Sequence, residues 1–279
     1  MSAWLPVATC TPHACARHEG AVRAPLPAAA LLVAGCALTL LGAICSPAVL
    51  LLGPSRRDRL VRRWARAVVR SFGVRVRVTG SPVEADRPAT GELVVANHVS
   101  WLDVPLVAAA LPARMLAKSE IRSWPLLGPL AALGGTLFID RDRLRALPEA
   151  VHALAGALRA GSRVVVFPQG STWCGRSGGG RFRHAAFQAA IDAGAAVRPV
   201  RIGYRTTRSD AAGAAAFVGD DPLAASLWRV VTAAGLTAEI RVLPRIPVCE
   251  EPGRRALARA AQCAVANDSA KRPASSVHH

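Results

Sequence analysis

ELVVANHVSWLDVPLV (residues 92–107) runs an unbroken apolar segment into Asn97-His98 and places Asp103 five residues after the histidine. A strand that is apolar throughout, with no alternation, reads as one buried on both faces, as in the parallel sheets of α/β folds. The polar turn and the apolar stretch from Val104 then complete a strand-turn-helix unit. Ser100-Trp101-Leu102-Asp103 has the Ser-x-x-Asp form of a capping box, in which the aspartate serves only the backbone. Pro105 argues against a cap at Ser100, because the proline would stand where the helical ladder needs an N–H. A helix starting near Val104 keeps it in the first turn, where that N–H is unused. His98 and Asp103 then fall in the turn beyond a strand's carboxyl end, where α/β folds gather their chemistry.

The same alternation extends outward from this unit. Short β-branched runs at 74–78, 93–96, 114–117, 136–139, 163–167 and 197–204 are separated by helical patterns over about 104–111, 124–132, 143–160 and 183–193. A polar, Ala-rich linker, a helix around 222–234, a strand at 236–243 and a helix near 252–266 follow. This order predicts one α/β domain over 73–266, a largely parallel mixed sheet flanked by helices. Residues 1–23 are expected to be flexible and 267–279 disordered, being polar and basic.

No charged residue occurs between Ala24 and Ser55, a run long enough for one bilayer crossing. It predicts a transmembrane or re-entrant membrane segment over 24–55, with Pro47 as the place for a break. The run is too long, and its leading region too weakly basic, for a cleaved signal peptide. The four residues Val33-Ala34-Gly35-Cys36 have the look of a lipoprotein cleavage box, but the apolar run continues past them. Arg56, Arg57, Arg59, Arg62, Arg63, Arg66 and Arg70 follow it, whereas Arg17 and Arg23 precede it, so the positive-inside rule places the domain in the cytoplasm at the cell membrane. Across 56–72 Leu60, Trp64, Val68 and Phe72 recur at four-residue steps among these arginines, the pattern of a basic amphipathic helix in the headgroup layer. The alternative is a helix whose stripe packs on the domain.

The chain of 279 residues carries 35 Lys and Arg against 18 acidic residues, a net charge of +17. Its partners should be anionic, and the charge alone suits nucleic acid or an anionic membrane surface. With 5% aromatic residues and no zinc-finger or basic-zipper spacing, no nucleic-acid partner is expected. The seven cysteines are scattered, as thiols in a reducing compartment would be. Cys10 and Cys15, with His13 and His18 nearby, match no standard metal spacing, so no metal is expected.

Three more blocks follow His98 and Asp103 in order: Gly135-Thr136-Leu137-Phe138-Ile139-Asp140-Arg141, Phe167-Pro168-Gln169-Gly170-Ser171-Thr172 and Val197-Arg198-Pro199-Val200. Together with Asn97, and over about residues 73–205, the set resembles the four motifs of the glycerolipid acyltransferases, the lysophosphatidic acid acyltransferase family. The chemistry asks for these residue types independently. Transfer to an alcohol needs a base near neutrality, which histidine supplies, and a carboxylate can hold the imidazole in the productive tautomer. The resemblance implies His98 as general base, Asp103 as its orienter, and Asn97, Arg141, Gln169, Gly170, Ser171 and Thr172 as substrate-binding residues. It implies transfer of an acyl group from acyl-CoA or acyl carrier protein to the hydroxyl of a lysolipid, most simply 1-acylglycerol 3-phosphate, with no cofactor. An arginine's fork of donors suits an acceptor phosphate, and Gly170 lets backbone amides approach a phosphate or oxyanion.

The third block departs from the family pattern, which has glutamate at the position of Gln169 and commonly arginine at that of Thr172. Glutamine keeps length and hydrogen bonding but loses the charge. The paired loss suggests a retuned acceptor pocket, and hence another lysolipid, for example an amino-acid-containing one, as the alternative acceptor. An inactive lipid-binding protein of the same fold would require His98 and Asp103 to be idle. His152 is expected on a helix surface and His184 at a helix start.

Overall fold

The computed structural model describes residues 8–18, 20–81, 91–125, 127–140, 143–176, 179–206, 213–251 and 253–270. Among them the strands are β1 (Arg75–Gly80), β2 (Glu92–Ala96), β3 (Arg114–Lys118), β4 (Leu137–Ile139), β5 (Arg163–Val166), β6 (Val197–Arg205) and β7 (Thr237–Val242). The helices are α1 (Pro12–Cys15), α2 (Pro25–Leu50), α3 (Pro54–Ser71), α4 (Asp103–Ala110), α5 (Leu127–Leu133), α6 (Leu147–Arg159), α7 (Ala185–Ala193), α8 (Leu223–Thr232) and α9 (Arg254–Ala270).

The strands form one sheet in the order β1-β7-β6-β2-β5-β3-β4. Only β6 and β7 run antiparallel, so the largely parallel mixed sheet expected from the alternation is present. β2 lies between β6 and β5, and its run is apolar on both faces because both are covered. Val94 and Ala96 enter one core with Val68, Leu106, Val230 and Ile240. Leu93 and Val95 enter the other, with Leu154, Phe187 and Leu257. β2, β5 and β6 are parallel neighbours, so their carboxyl ends open together at one edge of the sheet.

α2 is long and apolar enough to cross a membrane, and it continues through Pro47 without a break. At ~1.5 Å per residue it is roughly 39 Å long. The chain then turns at 51–53 and returns along α2 as α3. Gly35 and Gly42 permit the close approach: a Cβ on the first would collide with the ring of Phe72, and on the second with that of Trp64. Trp64 Nε1 also donates to the Leu38 carbonyl at 3.1 Å.

Both ends of this hairpin sit on the domain. Arg23, just before α2, donates to the carbonyls of Val231 and Ala233 at 2.7 Å each and to that of Gly73, just after α3, at 2.9 Å. Val22 forms a bridge with Ala233. The two flanks of the apolar segment are therefore on the same body.

Three further expectations change. The N-terminal segment, expected to be flexible, is docked over its described part: Cys10 and Ala16 are buried and Ala234 donates to the Ala21 carbonyl at 2.9 Å. Most of the apolar stripe of α3 is spent on the protein, with Val68 and Phe72 in the core and Trp64 against α2, while Leu60 near its start stays 42% exposed beside the exposed Arg56, Arg59 and Arg63. α9 extends four residues beyond the expected 266, to Ala270, because Asp268 is buried and paired with Arg241 at 3.0 Å and Arg201 at 3.6 Å. The rest of the expected tail, 271–279, lies outside the described residues.

Candidate active site

α4 begins at Asp103 and holds Pro105 in its first turn, as the proline requires. Asp103 is fully buried, and its two oxygens accept four bonds. Oδ2 lies 2.7 Å from His98 Nδ1, and accepts from the amides of Val99 at 2.6 Å and Ser100 at 2.9 Å. Oδ1 accepts from the Tyr204 hydroxyl at 2.5 Å. The bond to the Ser100 amide is the reciprocal half of a capping box, so one carboxylate both ties the turn and orients the imidazole. The two readings of the opening stretch are compatible.

The Nδ1–H tautomer leaves His98 Nε2 with its lone pair outward. The His98 side chain is 21% exposed, and its ring stacks on Phe167 at a centroid distance of 4.0 Å and an interplanar angle of 15°. Tyr204 comes from β6 and is buried. Burial and the neighbouring Asp103 charge push its phenol well above the usual range, so it remains a donor. The main chain clamps the same turn: Trp173 donates to the His98 carbonyl at 2.8 Å and Phe217 to that of Val99 at 3.0 Å.

The residues expected to bind substrate are mostly engaged internally. Asn97 bridges β2 to β6, donating to the Ile202 carbonyl and accepting from its amide, both at 2.8 Å. Gln169 is buried; its Oε1 accepts from the His98 amide at 2.8 Å and its Nε2 donates to the Gly180 carbonyl at 3.2 Å. A glutamate could make the first bond but not the second, which gives the glutamine a structural role. Gly179 lies directly over this amide, where a Cβ would collide with Nε2.

Thr172 Oγ1 donates to the Phe217 carbonyl, pinning the loop in place of an acceptor contact. Gly170 adopts φ +78°, available to glycine, and its amide donates to the Phe167 carbonyl at 3.1 Å, so it is spent on the turn. Among the described residues Ser171 Oγ is buried without a partner. Arg141 lies outside the described residues; β4, which leads to it, ends at the same sheet edge as β2, with β5 and β3 between. His152 is exposed on α6, and His184 is the residue before α7.

Tyr204 and Phe167 were missed as neighbours of the histidine pair. No spacing rule reaches from Asp103 to Tyr204. The apolar end of RVVVF was the one signal for Phe167, since β5 runs parallel to β2 and the residues that follow the two strands leave the sheet side by side.

A family model described as Acyltransferase matches residues 75–203, which contain all four motif blocks. The lyso-ornithine lipid O-acyltransferase of Pseudomonas aeruginosa is 40% identical over 212 residues, 75% of this chain and 78% of that protein. The chain belongs to the acyltransferase family.

The 1-acyl-sn-glycerol-3-phosphate acyltransferase of Neisseria meningitidis serogroup B is 37% identical to this acyltransferase over 206 residues, 73% of this chain and 78% of that protein. The crystal structure of the 1-acyl-sn-glycerophosphate (LPA) acyltransferase PlsC from Thermotoga maritima superposes with a TM-score of 0.66 at 18% identity. It covers 89% of this chain and 97% of that one, so the fold of this acyltransferase is shared along nearly its whole length.

Proposed function

We propose that this acyltransferase moves a fatty acyl group from an acyl thioester to the free hydroxyl of a lysolipid, with 1-acylglycerol 3-phosphate as the leading acceptor. The observation that carries the reading is the 2.7 Å contact between His98 Nδ1 and a buried Asp103 that is otherwise held by neutral donors, with Nε2 left open. His98 Nε2 takes the hydroxyl proton, and the oxygen attacks the thioester carbonyl. The tetrahedral adduct collapses, the C–S bond breaks, and the leaving thiolate takes the proton back from the imidazolium. Asp103 fixes the tautomer and offsets the charge of the imidazolium. No acyl-enzyme is needed, and the donor, acyl-CoA or acyl carrier protein, is a substrate. Arg141 is assigned to the acceptor phosphate through the motif it completes.

A second acceptor, an amino-acid-containing lysolipid, is favoured by the 40% identity to the Pseudomonas aeruginosa lyso-ornithine lipid O-acyltransferase. Work at a membrane is supported by the outward face of α2, where Leu26, Val33 and Ile44 are 84%, 67% and 67% exposed. With both flanks on the domain, α2 would enter one leaflet as the apolar arm of a hairpin and would not cross the bilayer. The partner surface is anionic: a groove of about 830 Å3 is lined by Arg59, Arg62, Arg63, Arg66 and Arg70 and contains no motif residue. We place the domain in the cytoplasm, where acyl thioesters are made.

The test is thiol release by detergent-purified enzyme with acyl-CoA and a panel of lysolipids. His98→Ala should lower turnover about 10³-fold while the protein stays with the membrane fraction. Full turnover in that variant would sink the mechanism, and the acceptor that restores the wild-type signal names the substrate.

A further inference from the structure

Three sulfur atoms converge on the far side of the loop that follows Gln169. Cys10 precedes α1, Cys15 closes it, and Cys174 lies next to Trp173; the three Sγ atoms all lie within 4.8 Å of one another. Cys10 and Cys174 are buried and Cys15 is half-buried. Ala216 and Val218 pack around them, with Trp173 alongside. Cys36, Cys45, Cys249 and Cys263 are exposed and belong to no such group.

Packing alone does not call for three thiols at one point, since alanine or valine would fill the same apolar pocket. Thiolates are soft ligands, and a tetrahedral zinc site with Zn–S of about 2.3 Å sets its sulfurs roughly 3.8 Å apart. The observed cluster needs a contraction of at most about one ångström to reach that spacing. The Cys10-x4-Cys15 spacing with His13 and His18 nearby matches no standard metal pattern in the sequence. The fold supplies a third sulfur from the active-site loop.

We propose that Cys10, Cys15 and Cys174 form a binding site for one thiophilic divalent cation of the Zn2+ class, with water in the fourth position on the half-buried Cys15 side. The three thiols release their protons to solvent as the metal–sulfur bonds form. The ion would staple the segment ahead of the α2–α3 hairpin to the loop whose Trp173 amide holds the His98 carbonyl. The site is therefore a positioning element, and its existence does not depend on which lysolipid is acylated.

The full chain, purified in detergent under reducing conditions from zinc-supplemented cells, should contain about one zinc per chain by mass spectrometry, falling below about a tenth in Cys174→Ser and Cys10→Ser but unchanged in Cys263→Ser. Alkylation mapping of the wild-type protein needs no variant: Cys10, Cys15 and Cys174 should be protected until a chelator is added, while Cys249 and Cys263 react at once. After chelation, Co2+ should produce a sulfur-to-cobalt charge-transfer band. Metal-free protein without that band overturns the proposal. So does a Cys10–Cys174 disulfide in peptides mapped from protein prepared without oxygen.

Discussion

A buried carboxylate stands at either end of β2, Glu92 as its first residue and Asp103 just past the turn that follows it, and the two are held by different kinds of donor. Glu92, at its start, accepts from three guanidiniums: Arg198 at 2.7 Å, Arg245 at 2.8 Å and Arg163 at 3.0 Å. Asp103, beyond its end, accepts from two amides, a phenol and an imidazole. Permanent cations around Glu92 leave no charge that can change, so that end is a structural lock. Around Asp103 only the imidazole can gain a charge, and the carboxylate remains available to meet it. Partner chemistry, not depth of burial, separates the two roles.

The comparison is broken most directly by exchanging each acid for its amide. Asp103→Asn should lower turnover by about 10³–10⁴-fold, because an amide no longer enforces the tautomer. Glu92→Gln should leave turnover per folded molecule within about threefold, since the two sites share no partner. It should instead cost about 3 kcal/mol in urea unfolding, because three guanidiniums lose their counter-charge. Equal losses of turnover in the two variants would erase the distinction.

A pH series sharpens it. Burial alone would raise the Glu92 carboxyl, but the guanidiniums of Arg198 and Arg163 outweigh it and hold the carboxyl below its ordinary range. A lowered folded value adds stability that is present above the unfolded value, about 4.3, and is lost as pH falls through the folded one. Unfolding free energy should therefore drop steeply below about pH 4 in the wild type and less steeply in Glu92→Gln. Parallel acid limbs would show the clamp to be electrostatically idle.

Smaller effects test what surrounds Asp103. Tyr204→Phe removes one of its four donors and should cost about 1–2 kcal/mol of stability and up to about tenfold in turnover, leaving acceptor KM unchanged. A change in KM alone would move Tyr204 from the orienting network to the substrate. Gln169→Glu should be milder still, about 1 kcal/mol, from a carboxylate set against the Gly180 carbonyl. A switch of preferred lysolipid in that variant would return Gln169 to the acceptor pocket.

These contrasts also mark where the sequence was readable. The seven strands and the His98–Asp103 pair are local patterns: apolar or β-branched runs of three to nine residues, and a turn in which Pro105 decides the helix start. Tyr204, Ile202 and Cys174 act through strand order, which places β6 and the loop after β5 on either side of β2, and no local period encodes that order. The internal role of Gln169 was out of reach for a related reason. Its side-chain type suggested a ligand contact, while the carbonyl it satisfies belongs to a glycine-rich loop that folds back from eleven residues away. The apolar segment was legible by length and composition, but the docking of both its flanks on the domain rests on long-range contacts of Ala21, Val22 and Arg23 that no local pattern encodes.

That clasp has a consequence for how the protein is made. Because residues ahead of α2 and after α3 rest on the same body, attachment of the hairpin to a membrane requires no hydrophilic stretch to be carried through hydrocarbon. The domain can be completed first on the side where it was synthesised, with Arg23 already closed on Gly73. On the proposed hairpin arrangement, translocation machinery would have no polar cargo to move, and insertion would be the last step of folding.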